Sequence, residues 1–414
     1  MAKIEQIVAR KIFDSRGNPT IEVEVITKCG SSKASAPSGA SIGYHEAIAF
    51  PDISVDKAIQ CVKDKVATKL CGMNVTKQAT IDQMLREIDG TKNFSKIGGN
   101  AAIAVSLAIA KAASRALKVP LYKYLSRTSK IAIPLPLGNI IGGGAHASGR
   151  TPDIQEFLIT PINAKNIYEA INANVIVHKK TGELLQKTDP RFSGGKGDEG
   201  AWAPCIKSET ALKILSEAID QASSEIGVKF RIGLDIAASR LWKKNHYYYP
   251  REKKKLTKEK QLDFILNLIE NFSIYYVEDP FEEEDFISFS KLTEAVGAKT
   301  LVVGDDLYTT NIERLKEGIK NKSTNAILIK PNQIGTLTET IQTIEFAKKN
   351  KIVPIVSHRS GETIDESIVH IAIAFNCPII KAGVVGGERI AKLNELIRIE
   401  EEANLKTAKL PLFR

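Results

Sequence analysis

Between Arg231 and Lys381, short apolar runs keep ending in charged or polar side chains. The runs are Arg231-Ile-Gly-Leu-Asp235, Ile274-Tyr-Tyr-Val-Glu278-Asp279, Leu301-Val-Val-Gly-Asp305-Asp306, Ala326-Ile-Leu-Ile-Lys330, Pro354-Ile-Val-Ser-His358-Arg359 and Pro378-Ile-Ile-Lys381. Short β-branched runs bounded by turn residues read as strands buried on both faces. Apart from the longer first step, successive ends are separated by room for one helix and two loops, close to the roughly 30 residues per unit of a (β/α)8 barrel. In such a barrel the C-terminal strand ends converge on one face, where the chemistry sits. The sequence therefore predicts Asp235, Glu278, Asp305, Lys330, His358, Arg359 and Lys381 around one pocket. The plainer reading is that each polar residue ends its strand at water. It is an even competitor for one strand and a poor one for six in succession.

Residues 1–125 have a different pattern. Ile4–Arg10 and Thr20–Ile26 read as strands joined by the turn Asp14-Ser-Arg-Gly-Asn-Pro19. In the second, Ile21, Val23 and Val25 alternate with Glu22 and Glu24, the mark of a half-buried sheet. A third short strand near Lys33–Ala36 leads into Pro37-Ser-Gly-Ala-Ser-Ile-Gly43, whose small residues suit either a lid or an ordinary turn. Apolar spacing predicts helices over Val55–Leu70, Lys77–Ile88 and an Ala-rich Asn100–Leu117, with Asn100 as a candidate N-cap. Sheet first and helices after is an α+β arrangement. The expected organisation is thus an α/β protein with an N-terminal α+β capping domain over 1–125. It carries a three-stranded antiparallel sheet plus helices and the Ser41 loop. The barrel follows over 126–414.

The barrel's early part is less regular. A strand in Pro134–Ile141 runs into the glycine-rich Gly142–Gly144, and the next strand spans Asp153–Ile159. Asn166–Gln186 is helical, and Ser193-Gly-Gly-Lys-Gly-Asp198-Glu199-Gly200 is a glycine loop presenting two acids. No Gly-Lys-Ser/Thr follows the glycines, so a P-loop is excluded. The stretch from Lys243 to Lys255, with its three tyrosines, reads as a solvated excursion. A nucleic-acid surface is the weaker reading, because the net charge of +10 comes mostly from scattered helix-surface lysines. Five cysteines, an odd number without CxxC, fit a reducing cytoplasm and neither a disulfide framework nor a zinc site. The N-terminus lacks a signal-peptide core, and the longest uncharged run, Ile131–Gly149, is broken by prolines and glycines, so no membrane span is expected.

Asp235, Glu278 and Asp305 offer three hard oxygen donors, which suit Mg²⁺ or Mn²⁺ and disfavour zinc or copper. Without a cation three clustered carboxylates repel one another and their pKa values rise. Lys330 beside that cation, partly desolvated, is expected to have a lowered pKa, as a base near neutral pH needs. His358, Arg359, Ser360 and Lys381 form a donor-rich group suited to phosphate or carboxylate. Together these point to proton abstraction beside a carboxylate.

The chain resembles the enolase family from end to end. The resemblance rests on Asp14-Ser-Arg-Gly-Asn-Pro-Thr20, Pro37-Ser-Gly-Ala-Ser41, Gly144-Ala-His146, Gln155-Glu156-Phe157, Gly197-Asp-Glu-Gly200 and Gly233-Leu-Asp235. It continues through Glu278-Asp-Pro-Phe281, Asp305-Asp-Leu307, Lys330-Pro-Asn-Gln-Ile-Gly-Thr336, Ser357-His-Arg-Ser-Gly-Glu362 and Lys392–Glu401. It implies a barrel that begins with two strands and then two helices. It also implies reversible Mg-dependent dehydration of 2-phosphoglycerate to phosphoenolpyruvate, a step of glycolysis and gluconeogenesis. Enolase-superfamily sites use a Lys or His base with one or two Mg²⁺. On this resemblance Lys330 takes the C2 proton and Glu199 is the acid for the C3 hydroxyl. Asp235, Glu278 and Asp305 hold the first Mg²⁺. Ser41, on the lid, helps hold a second Mg²⁺ that arrives with substrate. Arg359 and Ser360 hold the phosphate, and His146, Gln155, Glu156, His358 and Lys381 line the substrate site. A homodimer or higher homo-oligomer is implied too. The chain departs from the family pattern at Ile42, at Ala201-Trp202 and at Val384-Val-Gly-Gly387. The competing reading is a non-catalytic paralogue with a binding role, against which stand the retained Lys330 and Glu199.

Overall fold

A computed structural model describes residues 2–40, 42–128 and 130–411. Ser41, the expected lid ligand, lies outside the described residues. The chain opens with an antiparallel meander, β1 (Gln6–Phe13), β2 (Pro19–Thr27) and β3 (Gly30–Ser35). Ile21, Val23 and Val25 are wholly buried, while Arg10 donates from the other face to Glu22 at 2.7 Å and Glu24 at 2.6 Å. The meander packs on the helix Gly99–Leu117, whose many buried alanines permit a close approach. That helix is long and apolar enough to cross a membrane, yet 78% of its apolar window is buried inside the protein, which makes it a core helix.

Asn100 is not the cap of this helix. Gly98, at φ 93°, is the N-cap, and a side chain there would press on the Ala49 carbonyl at 2.8 Å. Only glycine takes such a position without strain. Asn100 instead donates to Pro37 O at 3.1 Å and accepts from Asn332 at 3.1 Å, tying the helix to both halves of the protein. The predicted helix from Val55 to Leu70 is continuous but contains one π turn, Val62–Val66.

The barrel strands are β4 (Leu135–Gly142), β5 (Glu156–Pro161) and β6 (Phe230–Asp235). After a small sheet of β7 (Trp242–Lys243), β8 (His246–Tyr249) and β9 (Lys254–Leu256) come β10 (Tyr276–Glu278) and β11 (Leu301–Gly304). β12 (Ala326–Ile329), β13 (Val353–Ser357) and β14 (Ile379–Lys381) complete the ring. It closes in the order β10-β11-β12-β13-β14-β4-β5-β6, with β5 antiparallel to both neighbours. Two helices in succession, Ile167–Thr188 and Ser208–Ile226, separate β5 from β6. This is the irregular start that the resemblance to the enolase family implies. Inside the ring, Leu137, Leu158, Tyr276, Leu301, Val303, Leu328, Ile355 and Ile379 fill the floor.

Two sequence expectations shift. β5 starts at Glu156, because Asp153 is spent outside the ring, accepting from the backbone N–H groups of Arg251 at 3.1 Å and Glu252 at 2.9 Å. The Lys243–Lys255 excursion is only half solvated: Tyr247 and Tyr249 are fully buried, and Tyr249 bonds Gln261. Lys243, Lys244 and Lys253 to Lys255 are all exposed, and the period-two alternation lies in β8, which turns Tyr247 and Tyr249 inward.

The N-terminal domain is fastened to the barrel through Asp82, which is 2% exposed. Its carboxylate accepts from Ser106 at 2.6 Å and Gln78 at 3.1 Å, and from the Thr338 N–H at 2.9 Å and hydroxyl at 2.5 Å. Thr338 belongs to the barrel helix Leu337–Lys349. Asp82→Ala is therefore expected to lower the urea midpoint, at about 1–3 kcal/mol for each buried donor left unpaired. An unchanged midpoint would contradict the role given to this joint.

Candidate active site

Barrel register decides which side chains meet. Glu156, Asp235 and Glu278 are Cα partners across β5, β6 and β10, so they stand on one rung. Lys381 pairs with Ser357 on the other side of the ring. Its ammonium reaches across to Glu278 at 2.8 Å, Glu156 at 2.9 Å and Asp235 at 3.3 Å. Asp305 stands just beyond β11 and forms an ion pair with Lys330, just beyond β12. The Asp279 carboxylate accepts from the backbone N–H groups of Asp305 at 2.9 Å and Asp306 at 2.7 Å, which fixes the turn after β11.

The charges tune one another. Burial, then neighbouring Asp235, pushes the Glu278 carboxyl up. Burial also raises Asp235, with Lys381 opposing. Asp305 departs from the expectation of raised carboxylates: burial pushes it up, but Lys330 outweighs burial and leaves it lowered. The lowering expected of Lys330 is tied to a bound cation; against the protein's own groups alone the direction is the opposite. Burial disfavours the charge of Lys330, yet Asp305 together with Glu278 offsets that and the ammonium is held up.

The anion clamp and acid loop lie beside this rung. Arg359 donates to Glu46 at 2.9 and 3.1 Å and to Asn332 at 3.0 Å. Ser360 Oγ accepts from the Ala40 N–H at 2.6 Å, so the glycine-serine loop rests on the clamp. Glu199 has φ 67°, and the loop's flanking glycines are required. A Cβ on Gly197 would meet the His146 carbonyl at 2.2 Å, and one on Gly200 the Val385 carbonyl at 2.6 Å. Asn139 donates to Glu199 Oε2 at 3.0 Å, and His358 Nε2 lies 3.2 Å from Oε1. His146 Nδ1 stands 3.1 Å from Glu156 and 3.7 Å from Glu199. Burial pushes Glu199 up, but His358, His146 and Arg389 together hold it well below the ordinary carboxylate range. Burial drives His358 down to about 4, so its ring is neutral.

His146, Gln155, Glu156, Glu199, Asp235, Asp305, Lys330, His358, Arg359, Ser360 and Lys381 line one enclosed polar pocket together with Gly39 and Ala40. The donor set fits a hard divalent cation: Gln155 Oε1, on the pocket lining, and Glu278 Oε1, on the rung with Asp235, are buried without a hydrogen-bond partner. The three expected ligands are not gathered on one point, since Lys381 and Lys330 engage them. Among the described residues, the ligand sets lying within 4.8 Å are His146, Glu156 and Glu199, and Asp279, Asp305 and Asp306.

A family model described as the enolase N-terminal domain matches residues 4–125, and one described as the enolase C-terminal TIM barrel domain matches 130–409. The chain belongs to the enolase family. It is 53% identical to the enolase of Methanosphaera stadtmanae over 96% of this chain and 97% of that protein. It is 51% identical to the enolase of Methanothermobacter thermautotrophicus over 96% of each chain. With the enolase of Archaeoglobus fulgidus it shares 48% over 96% of this chain and 97% of that one. Enolases are phosphopyruvate hydratases, which are lyases.

Within the enolase frame, sequence reading left out several residues that shape the pocket. Glu46 neutralises Arg359 from the N-terminal domain, Asn139 holds Glu199, and Arg389 backs His358. Asp279 and Asp306 are the second members of the acidic pairs 278–279 and 305–306, and those doublets were the signal available for them. Asn139, a polar residue inside the apolar Leu135–Ile141, was another.

Lys381→Met removes the cation shared by three buried carboxylates. Breaking such a buried set by deleting one partner costs about 3–5 kcal/mol. The deficit is expected in the urea midpoint measured in chelator at pH 7. It should shrink toward pH 5. The raised Glu278 carboxyl binds protons in the folded state that the unfolded chain has released, so stability falls as pH rises above the ordinary carboxylate value. A variant as stable as the parent at pH 7 would refute this charge balance.

Proposed function

We propose that the protein catalyses the reversible, Mg-dependent dehydration of 2-phosphoglycerate to phosphoenolpyruvate. The observation that carries the reading is the opposition of Lys330 and Glu199. Lys330 follows β12, while Glu199 leans on Asn139 of β4 near Glu156 of β5, across the ring from β12. Elimination needs a base at C2 and an acid at C3, and this opposition supports that division. Lys330 takes the C2 proton. The electron pair of that C–H bond becomes the C2–C3 double bond as the C3–O bond breaks. Glu199 gives its proton to the departing hydroxyl, which leaves as water.

Asp235, Glu278 and Asp305 would hold one Mg²⁺, and Ser41 on the lid would take part in holding a second. Bound there, Mg²⁺ supplies positive charge against the substrate carboxylate as negative charge builds beside it. Asp305 as a metal ligand would share its charge with the cation, which would weaken the interaction that helps hold the Lys330 ammonium up. Arg359 and Ser360 would grip the phosphate, with His146, Gln155, Glu156, His358 and Lys381 around the carbon skeleton. Glu199 rests as a carboxylate, the form needed to activate water in the hydration direction. Dehydration needs it protonated, and the incoming phosphate and carboxylate raise its proton affinity. Five free cysteines support a cytoplasmic setting, and a homodimer or higher homo-oligomer belongs to the same reading.

Partial reactions test the assignment. Losing a positioned acid or base costs about 10²–10⁴ in rate, so Glu199→Gln and Lys330→Ala should both be strongly impaired overall. In D₂O, Glu199→Gln should still exchange the C2 proton of 2-phosphoglycerate, whereas Lys330→Ala should not. Exchange at the parent's rate by folded Lys330→Ala would overturn the choice of base. The lid is tested separately. Ser41→Ala should weaken the response to the second Mg²⁺ equivalent and leave the first intact, as read by metal titration with substrate present. Identical titrations would remove Ser41 from the site.

A further inference from the structure

We propose that Arg389 is a positioning residue for the acid side of this site: it fixes His358 in the tautomer that carries its proton on Nε2, the nitrogen beside Glu199. The inference rests on the proposed role of Glu199 and deepens it.

Arg389 sits in the first turn of the helix Gly387–Ala403 and is fully buried. Its Nη1 lies 2.8 Å from His358 Nδ1 and donates to Arg359 O at 2.6 Å; its Nη2 donates to Ser360 O at 2.5 Å. Its Nε faces Glu388 at 3.3 Å. The backbone makes room for the stem at Gly383, φ 72°, where a Cβ would come within 3.1 Å of the Arg389 side chain.

A guanidinium has only donors. The imidazole nitrogen it faces must accept, so His358 Nδ1 is unprotonated. A neutral imidazole then carries its proton on Nε2, the atom 3.2 Å from Glu199 Oε1. Burial, with Arg389 adding to it, keeps that ring neutral. Glu362 is the other charged group that acts on His358, and the His358 backbone N–H goes to Lys381 O at 2.9 Å. Asn139 donates to Oε2, while His358 Nε2 stands 3.2 Å from Oε1 outside hydrogen-bond geometry in this structure, so the ring is placed beside the carboxyl without being bonded to it. Arg389 touches no reacting atom; it acts through His358.

The competing role is structural. Arg389 also braces the carbonyls of Arg359 and Ser360, and a brace alone predicts damage to the anion clamp. The two roles separate on different readouts. Arg389→Lys keeps a donor-only head. Arg389→Gln offers an amide oxygen that can accept from Nδ1–H and so releases the tautomer. The full-length Mg²⁺-loaded enzyme is to be measured for kcat and KM on 2-phosphoglycerate, for C2 proton exchange in D₂O, and by ¹⁵N NMR of His358, assigned with His358→Asn. We expect Nε2–H in the parent and in Arg389→Lys. Arg389→Gln should show proton density at Nδ1 and a kcat lower by on the order of 10²-fold, the lower end of what a positioned acid contributes. Its KM and C2 exchange should stay near the parent's values, because Lys330 and the side chains of Arg359 and Ser360 are unchanged and only the brace on two carbonyls is lost. Nδ1–H in the parent would overturn the proposal, as would an Arg389→Gln variant losing KM, exchange and kcat together. If Arg389→Gln does not fold, the parent and Arg389→Lys spectra still decide the tautomer. A parent that makes no phosphoenolpyruvate would sink the functional reading instead, leaving the NMR result to stand on its own.

Discussion

Four carboxylates, Glu156, Asp235, Glu278 and Asp305, are buried at the mouth of the barrel against two ammonium groups, Lys381 and Lys330. Burying an ion costs several kcal/mol unless it is paired. The surrounding architecture is what makes the burial tolerable. Parallel strands bring their ends to one face, and the register puts Glu156, Asp235 and Glu278 on a shared rung within reach of one lysine. Below them an apolar plug of side chains gives the ring its rigidity. Lys381 and Lys330 hold these carboxylates in close ion pairs, while Glu278 Oε1 is left without a hydrogen-bond partner.

The N-terminal domain completes this balance. Glu46 supplies the counter-charge to Arg359, and Ala40 docks its N–H on Ser360. Asn100 and Asn332 form a polar seam between the core helix and the barrel, with Asn332 also accepting from Arg359. The proposed phosphate clamp, Arg359 and Ser360, is therefore held between two parts of the chain. An incoming anion meets an Arg359 whose two partners already fix its plane, which suits bidentate recognition.

Much of this was legible in the sequence, and the misses share a cause. Strand-end residues could be read because a buried strand has one exit, and the polar residue at that exit has few places to go. Alternation in Ile21–Val25 likewise announced a half-buried sheet. The residues that went unread, Glu46, Asn139 and Arg389, act across long sequence separations, where no local period reports the contact. Asn100 was read as a cap because its type suits caps; tertiary bonds to Pro37 and Asn332 took it instead. The ion pair between Asp305 and Lys330 is a related case. Spacing placed Asp305 and Lys330 in one pocket but could not say that they would pair directly. Tyr247 and Tyr249 were hidden by the lysines around them, since composition averages over the two faces of a short strand.

The central claim is that this pocket turns buried charge into proton abstraction beside a carboxylate. The most direct measurement is the absorbance of phosphoenolpyruvate formed from 2-phosphoglycerate by the purified protein, with Mg²⁺ and again after chelation with EDTA. The account predicts steady formation with Mg²⁺, loss of activity in chelator, and recovery when Mg²⁺ is restored. No phosphoenolpyruvate with Mg²⁺ present, or full turnover in chelator, would contradict it.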